Sequence, residues 1–145
     1  GEGLMTRHSP CWASSDLVLT EAAVAEKRGV VLVVDDDPDL LSMVELLLGA
    51  EGYRVNTARD GEEALQKVAQ EMPAVILLDM KMPGMDGWAF AREFRRLFDR
   101  RAPIVVLTAA EDAQRRAEEI EAEGYLGKPF EIDDLTLIVE KYARR

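Results

Sequence analysis

From residue 30 onward, short hydrophobic runs alternate with longer segments in which apolar residues recur every three or four positions. The clearest runs are residues 30–34 and 74–78, where apolar and mostly branched side chains follow one another without a break. Such runs are typical of strands buried on both faces, as in a parallel sheet covered by helices. Further strands are predicted at residues 53–58, 103–108 and 125–127.

Capping signals predict a helix after each strand. Asp37 as N-cap and Pro38 at the first helical position begin the first helix. Asp60 opens a capping-box-like start to the second helix, and Asp86 caps the third. The fourth and fifth helices are predicted over residues 111–123 and 133–143.

The inward faces of these helices follow from the helical spacing of their apolar residues. In the third helix the pattern predicts that Phe90, Phe94, Leu97 and Phe98 all point toward the core. The fourth helix has a thin apolar face, made only of Ala113, Ala117 and Ile120. The fourth helix is therefore expected to be weakly anchored to the rest of the protein.

Five strands alternating with five helices predict right-handed crossovers and a doubly wound parallel sheet, an α/β fold. We expect one domain over residues 29–145, because 145 residues suffice for a single well-buried core. Residues 1–28 lack this pattern and are interpreted as an N-terminal extension. The four residues before Met5 resemble a cloning remnant, and residues 16–27 are predicted to form a short helix with Thr20 as a candidate N-cap.

Composition narrows the class of protein. The net charge is −10 and the pI about 4.6, which disfavours direct contact with nucleic acid or anionic lipid. Cys11 is the only cysteine, so an internal disulfide is impossible and a reducing compartment is expected. No apolar run has the length of a membrane span. Together these features predict a cytoplasmic protein.

Polar residues follow four of the predicted strands at the point where each strand ends. They are Asp35 and Asp36, then Asp79, then Thr108 and finally Lys128. Ligands of open parallel sheets bind at the carboxyl ends of the strands, so these side chains are expected in one pocket. Three carboxylates at close quarters repel one another unless a cation neutralises them, and oxygen ligands suit Mg²⁺. A lysine and a hydroxyl beside them favour a site that places a phosphoryl group on a carboxylate.

From residue 30 to about residue 142, the chain resembles the receiver domain of bacterial two-component response regulators. The resemblance covers about four-fifths of the chain, and the combination of motifs is more specific than any one of them. The matching segments are Val-Val-Asp-Asp-Asp-Pro at 33–38, Leu-Leu-Asp at 77–79, Met-Pro-Gly-Met-Asp-Gly at 82–87, Val-Leu-Thr-Ala at 106–109 and Tyr-Leu-Gly-Lys-Pro-Phe at 125–130.

The resemblance implies a flavodoxin-like fold with strand order 2-1-3-4-5 and a magnesium-dependent signalling protein rather than an enzyme. Asp79 would accept a phosphoryl group from a sensor histidine kinase or a phosphotransfer protein, and the domain would assist its own phosphorylation and dephosphorylation. Asp36 would bind Mg²⁺ directly, Asp35 through water, and Lys81 through its backbone carbonyl.

The resemblance also assigns a switch. Thr108 and Tyr125 would be the switch pair, Lys128 would contact the phosphoryl group, and the peptide between Lys128 and Pro129 would be cis. The responding surface would be the fourth helix, the fifth strand and the fifth helix. This surface and the N-terminal arm are the two candidate surfaces for a homodimer.

An alternative class is a haloacid-dehalogenase-like phosphatase, an enzyme that would use Asp35 and Asp37 as its Asp-x-Asp pair. Thr108 and Lys128 would fit this interpretation as well. It leaves Asp79 and the loop after it without a role. It also needs Asp133 and Asp134 at a strand end, whereas the pattern places them at the start of the last helix. Turnover of a generic phosphomonoester would separate the two classes.

Overall fold

The computed structural model describes residues 28–143, and within them strands and helices alternate throughout. The expectations for residues 1–27, including the short helix at 16–27, lie outside this range. The strands are β1 (Val30–Val34), β2 (Arg54–Ala58), β3 (Val75–Leu78), β4 (Ile104–Ala109) and β5 (Gly124–Lys128). The helices are α1 (Pro38–Ala50), α2 (Gly61–Gln70), α3 (Gly87–Phe98), α4 (Ala110–Glu119) and α5 (Ile132–Ala143).

The five strands form one parallel sheet in the order β2-β1-β3-β4-β5. This confirms the doubly wound fold and its predicted strand order. The order reverses between β1 and β3, and in such sheets ligands bind at this switch point beyond the carboxyl ends of the strands. No helix within residues 28–143 is long and apolar enough to cross a membrane.

Two hydrophobic layers enclose the sheet, and alternate residues of each central strand supply them. In β1, Val31 and Val33 pack under α1 and α5, whereas Leu32 and Val34 pack against the layer formed with α2, α3 and α4. All five residues of β1 and all four of β3 are buried. Because both faces are covered, these strands need apolar residues at every position, which explains their uninterrupted hydrophobic runs.

The helix starts agree with the predicted caps. The side chain of Asp37 accepts a hydrogen bond from the backbone N–H of Asp39, and that of Asp60 accepts one from Glu63. Asp86 caps α3 through the N–H of Ala89. Each bond satisfies a backbone donor that the first turn of a helix leaves free.

The predicted inward face of α3 is wrong at one position. Phe90 and Phe94 are fully buried, with ring centroids 5.8 Å apart, and Phe98 packs partly against them. Leu97 is 51% exposed. The buried stripe follows a spacing of four residues along the three phenylalanines, and Leu97 lies on its solvent side.

The fourth helix ends at Glu119, four residues before its predicted end. Glu121 has a φ of 53°, a left-handed conformation that interrupts a right-handed helix. Glu123, directly before β5, bonds to the first residue of β4 instead: its N–H donates to the carbonyl of Ile104 at 3.0 Å, and its carboxylate accepts from the Ile104 N–H at 2.8 Å. Contacts with β4, distant in sequence, therefore end this helix.

Candidate functional site

The candidate site lies where β1 and β3 end beside each other. Val34 and Leu78 are paired in register, so Asp35 and Asp79 leave the sheet at the same level. The N–H of Asp79 donates to the carbonyl of Val34 at 2.8 Å, and the N–H of Asp35 donates to that of Ala58 at 3.0 Å. Sheet hydrogen bonds thus fix the backbone of both carboxylates.

Strands β4 and β5 bring Thr108 and Lys128 to the same edge. Thr108 pairs with Gly127, and Ala109 pairs with Lys128. Thr108 is buried to 7% exposure. The peptide between Lys128 and Pro129 is cis, as the family resemblance implied.

Lys128 joins two strand ends through its ammonium group. Its Nζ lies 2.7 Å from Oδ2 of Asp35 and 3.7 Å from Oδ1 of Asp79. The other oxygen of Asp35 accepts a hydrogen bond from the backbone N–H of Asp37 at 3.0 Å. Asp35 is only 1% exposed, so these two donors replace the water that a buried carboxylate loses.

The pKa of Asp79 is raised from its ordinary value of 3.8 to about 6, and burial is the largest cause. The negative charges of Asp35 and Asp36 also contribute to this rise, whereas the positive charge of Lys128 opposes it. A backbone hydrogen bond from Lys81 lowers it slightly. The pocket therefore supplies too little positive charge to compensate the negative charge of ionised Asp79.

The lysine responds in the opposite direction. Burial alone would lower the pKa of Lys128, but its hydrogen bond to Asp35 and the charges of Asp35 and Asp79 outweigh this effect and raise the pKa above its ordinary value. Lys128 thus carries a fixed positive charge next to the two buried carboxylates.

The three carboxylates fit a small, hard cation. Asp35, Asp36 and Asp79 each offer one oxygen, and these oxygens all lie within 4.8 Å of one another. Asp35 and Asp79 are buried, while Asp36 is exposed and leaves the site open to solvent. One lysine compensates only part of three negative charges. Oxygen donors, an open side and a surplus of negative charge suit Mg²⁺, which keeps several of its waters when bound to proteins.

Two predicted site residues stand apart from this cluster. The side chain of Lys81 is exposed, and its backbone is the part that reaches Asp79. Tyr125 lies on β5 and is 44% exposed, so its ring points away from the core in this structure.

Sequence reasoning missed two contributors. The role of Asp37 as an N-cap was predicted, but its N–H also holds Asp35, a contact two residues apart that the Asp-Asp-Asp-Pro run could have suggested. Gly87 is the second. A Cβ atom at this position would lie 2.7 Å from the carbonyl oxygen of Asp79 and 2.7 Å from Cα of Met80. Only glycine lets α3 begin this close to the Asp79 backbone.

The doubly wound sheet, with acidic residues and a lysine at its carboxyl edge, defines a flavodoxin-like α/β protein with a polar site at the switch point. Comparison with known families is more specific. The family model described as "Response regulator receiver domain" matches residues 31–140. The chain therefore belongs to the response regulator receiver domain family, a family of signalling proteins, and the phosphatase alternative finds no support.

Individual relatives agree with this assignment. The chain is 39% identical over 117 residues to the transcriptional regulatory protein PrrA of Mycobacterium tuberculosis, and the aligned region covers 79% of this chain and 50% of PrrA. It is 37% identical over 117 residues to the DNA-binding transcriptional regulator NtrC of Escherichia coli K12, and the aligned region covers 79% of this chain and 25% of NtrC. The chain thus spans about half or less of the length of these curated relatives.

A solved structure shows the same fold. The chemotaxis response regulator CheY4 of Vibrio cholerae superposes with a TM-score of 0.70 at 34% identity, covering 78% of this chain and 97% of CheY4. Here the similarity extends over nearly the whole of the other protein. The aligned part of this chain therefore has the fold of CheY4 over nearly all of the CheY4 chain.

Proposed function

We propose that this chain is a magnesium-dependent phosphoacceptor, and that Asp79 takes a phosphoryl group from a phosphohistidine of a sensor histidine kinase or phosphotransfer protein. The P–N bond of the donor breaks, its electron pair stays on the imidazole nitrogen, and a P–O bond forms to a carboxylate oxygen of Asp79. The observation that carries this proposal is a buried carboxylate at a strand end with two further carboxylates and a lysine around it.

Asp79 must be ionised to act as the nucleophile. With a pKa of about 6, it is mostly ionised at neutral pH even before a cation binds. Asp35, Asp36 and Asp79, with the backbone carbonyl of Lys81, would hold Mg²⁺. The ion would neutralise charge on the carboxylates and on the incoming phosphoryl oxygens.

Lys128 and Thr108 are proposed to contact the phosphoryl group once it is attached to Asp79. Lys128 now donates to Asp35 at 2.7 Å and lies 1.0 Å farther from Asp79, so a short movement of a flexible side chain would bring its ammonium to a phosphoryl oxygen on Asp79. The Thr108 hydroxyl would donate to another oxygen. Tyr125, exposed here, would turn inward beside β5 as Thr108 moves.

We propose residues 29–145 as the receiver domain and residues 1–28 as an extension to it. PrrA is named as a transcriptional regulatory protein and NtrC as a DNA-binding one, and this chain matches only part of each. Its proposed role in such a protein is to receive the signal. Its net charge of −10 disfavours direct contact with DNA. We propose that its partner is a kinase or a phosphotransfer protein in the cytoplasm.

The assignment of Asp79 is tested with a small-molecule phosphodonor. The protein is incubated with Mg²⁺ and acetyl phosphate, and intact mass reports a phosphoryl adduct. Asp79→Asn should remove the adduct. Asp86→Asn is the matched control, because asparagine keeps the N-cap of α3. Labelling of Asp79→Asn equal to that of the wild type would overturn the assignment.

A further inference from the structure

The two ends of α4 are held in different ways. Its N-cap is Ala109, which makes no side-chain capping bond, and this end follows directly after Thr108. The helix itself buries only Ala113 and Ala117, both small. The apolar core therefore holds this helix weakly, and its position depends on other contacts.

Trp88 reaches α4 from the first turn of α3. Its indole Nε1 donates to a carboxylate oxygen of Glu119 at 2.9 Å. The guanidinium of Arg116 lies 5.4 Å from the centroid of the Trp88 ring and also pairs with Glu119 at 2.8 Å. One aromatic side chain thus contacts an anion and a cation of the last turn of α4.

Arg95 and Arg100 hold the segment that follows α4, residues 120–123. Arg95 donates from one guanidinium nitrogen to the carbonyl of Ile120 and from another to that of Glu121, the second at 3.0 Å. Arg100 donates to the same Glu121 carbonyl at 3.1 Å and pairs with the carboxylates of Glu121 and Glu123. A helix leaves its last carbonyls without partners, and Arg95 supplies donors at that end.

These contacts cross a groove of about 310 Å³ between α3 and α4, lined in part by Trp88, Arg95 and Ile120. Long side chains bridge the two helices across this gap. Exposed ion pairs such as that of Arg100 add little individually. Arg95 and Trp88 differ from Arg100 because both side chains are partly buried, and the bond from Arg95 to the Ile120 carbonyl is partly buried as well.

We infer that Trp88 and Arg95 form a clamp that fixes the C-terminal end of α4 to α3, so that α4 responds to phosphorylation by movement of its N-terminal end. The second half of this inference rests on the proposed function. Trp88 is the second residue of α3, so the clamp is anchored just beyond the loop that begins at Asp79. Thr108 acts at the opposite, uncapped end of α4. The helix therefore has one fixed end and one responsive end.

The clamp is tested without any phosphodonor by amide hydrogen exchange on the full chain. Arg95→Met should raise exchange of residues 117–123 at least fivefold. Arg96→Met is the matched control, because Arg96 is exposed and pairs with Glu93 of its own helix. Arg95→Lys keeps the charge but cannot serve two carbonyls with the same geometry, and Trp88→Leu keeps bulk without the indole N–H. Both should raise exchange in the same segment.

Equal exchange of residues 117–123 in wild type, Arg95→Met, Arg95→Lys and Trp88→Leu would overturn the clamp. The second arm adds Mg²⁺ and beryllofluoride, a phosphoryl mimic. In the wild type, exchange should change at residues 109–113 and stay constant at 117–123, and in Arg95→Met the change should extend through both segments. A uniform change along wild-type α4 would overturn the fixed end. Failure of the mimic to bind would count against the proposed function, and the first arm would still decide the clamp.

Discussion

The ammonium of Lys128 lies 2.7 Å from a carboxylate oxygen of Asp35, closer than its 3.7 Å distance to Asp79, although 93 residues separate the first pair. In this state the lysine stabilises a neighbour of the proposed phosphoacceptor. Asp35 is almost completely buried, whereas Lys128 is partly exposed. Loss of Lys128 would therefore leave a buried carboxylate without its compensating charge.

Removing this lysine should therefore destabilise the protein. Lys128→Met keeps the apolar stem but leaves Asp35 buried without its cation. We expect a loss of about 1–3 kcal/mol in the free energy of unfolding, below the value for a fully buried pair because Lys128 retains solvent contact. Urea unfolding with EDTA measures it. Lys81→Met, at an exposed lysine, is the control and should change little; equal losses in both variants would contradict the pairing.

Asp79 should destabilise the protein in the absence of a cation. Its pKa in the folded state is raised from 3.8 to about 6, so ionisation of Asp79 is less favourable in the folded than in the unfolded protein. The free energy of unfolding therefore falls as the pH rises from about 4 through 6. At pH 7.5 with EDTA, Asp79→Asn should be more stable than wild type by about 1–2 kcal/mol, allowing for solvent screening. The difference should disappear below about pH 4. A difference that is constant with pH would refute this origin.

Magnesium binding should depend on the carboxylates and little on the Lys81 side chain. Asp36→Ala deletes an oxygen ligand and one negative charge, so calorimetric titration should show at least a tenfold loss of Mg²⁺ affinity. Lys81→Ala should bind Mg²⁺ nearly as the wild type does, because only its backbone is proposed to face the ion. We expect Lys81→Ala to alter the lifetime of the phosphorylated state instead. Unchanged affinity in Asp36→Ala would exclude Asp36 as a ligand.

Tyr125 should become less exposed when the site is activated. The three tyrosines differ in this structure, since Tyr53 and Tyr142 are buried and Tyr125 is 44% exposed. With 3-fluorotyrosine, the ¹⁹F resonance of Tyr125 should shift and lose solvent sensitivity on addition of Mg²⁺ and beryllofluoride. Tyr53 serves as the internal reference, because Tyr142 belongs to α5 and therefore to the responding surface. Thr108→Val, which removes the hydroxyl donor, should abolish the shift. A shift that persists in this variant would show that the movement of Tyr125 does not depend on the Thr108 hydroxyl.

Gly87 should be intolerant of any side chain. Alanine would place its Cβ 2.7 Å from backbone atoms of Asp79 and Met80, which cannot move without displacing the site. We expect Gly87→Ala to cost about 1–3 kcal/mol and to weaken Mg²⁺ binding. Gly49→Ala is the control, because a Cβ there meets nothing within 4 Å inside α1. It should stabilise by about 0.5–1 kcal/mol, and similar values for the two variants would contradict the close approach.

The sequence by itself determined the strands, the helix caps and the edge on which the acidic residues meet. These are local properties: Val30–Val34 and Val75–Leu78 are apolar at every position because both faces of a parallel strand are covered. Asp37, Asp60 and Asp86 cap helices through bonds to residues two or three positions away. The strand order followed from the family resemblance that these motifs carry.

Only the tertiary structure decided which groups pair across those elements. The preference of Lys128 for Asp35 over Asp79 depends on distances set by the register of separate strands. Likewise, α4 ends at Glu119 and Glu123 bonds to Ile104 instead of continuing the helix. Helical periodicity extended α4 four residues too far because periodicity contains no information about β4. Helix caps depend on neighbours in sequence, whereas these pairings depend on neighbours that the chain acquires only when the sheet has formed.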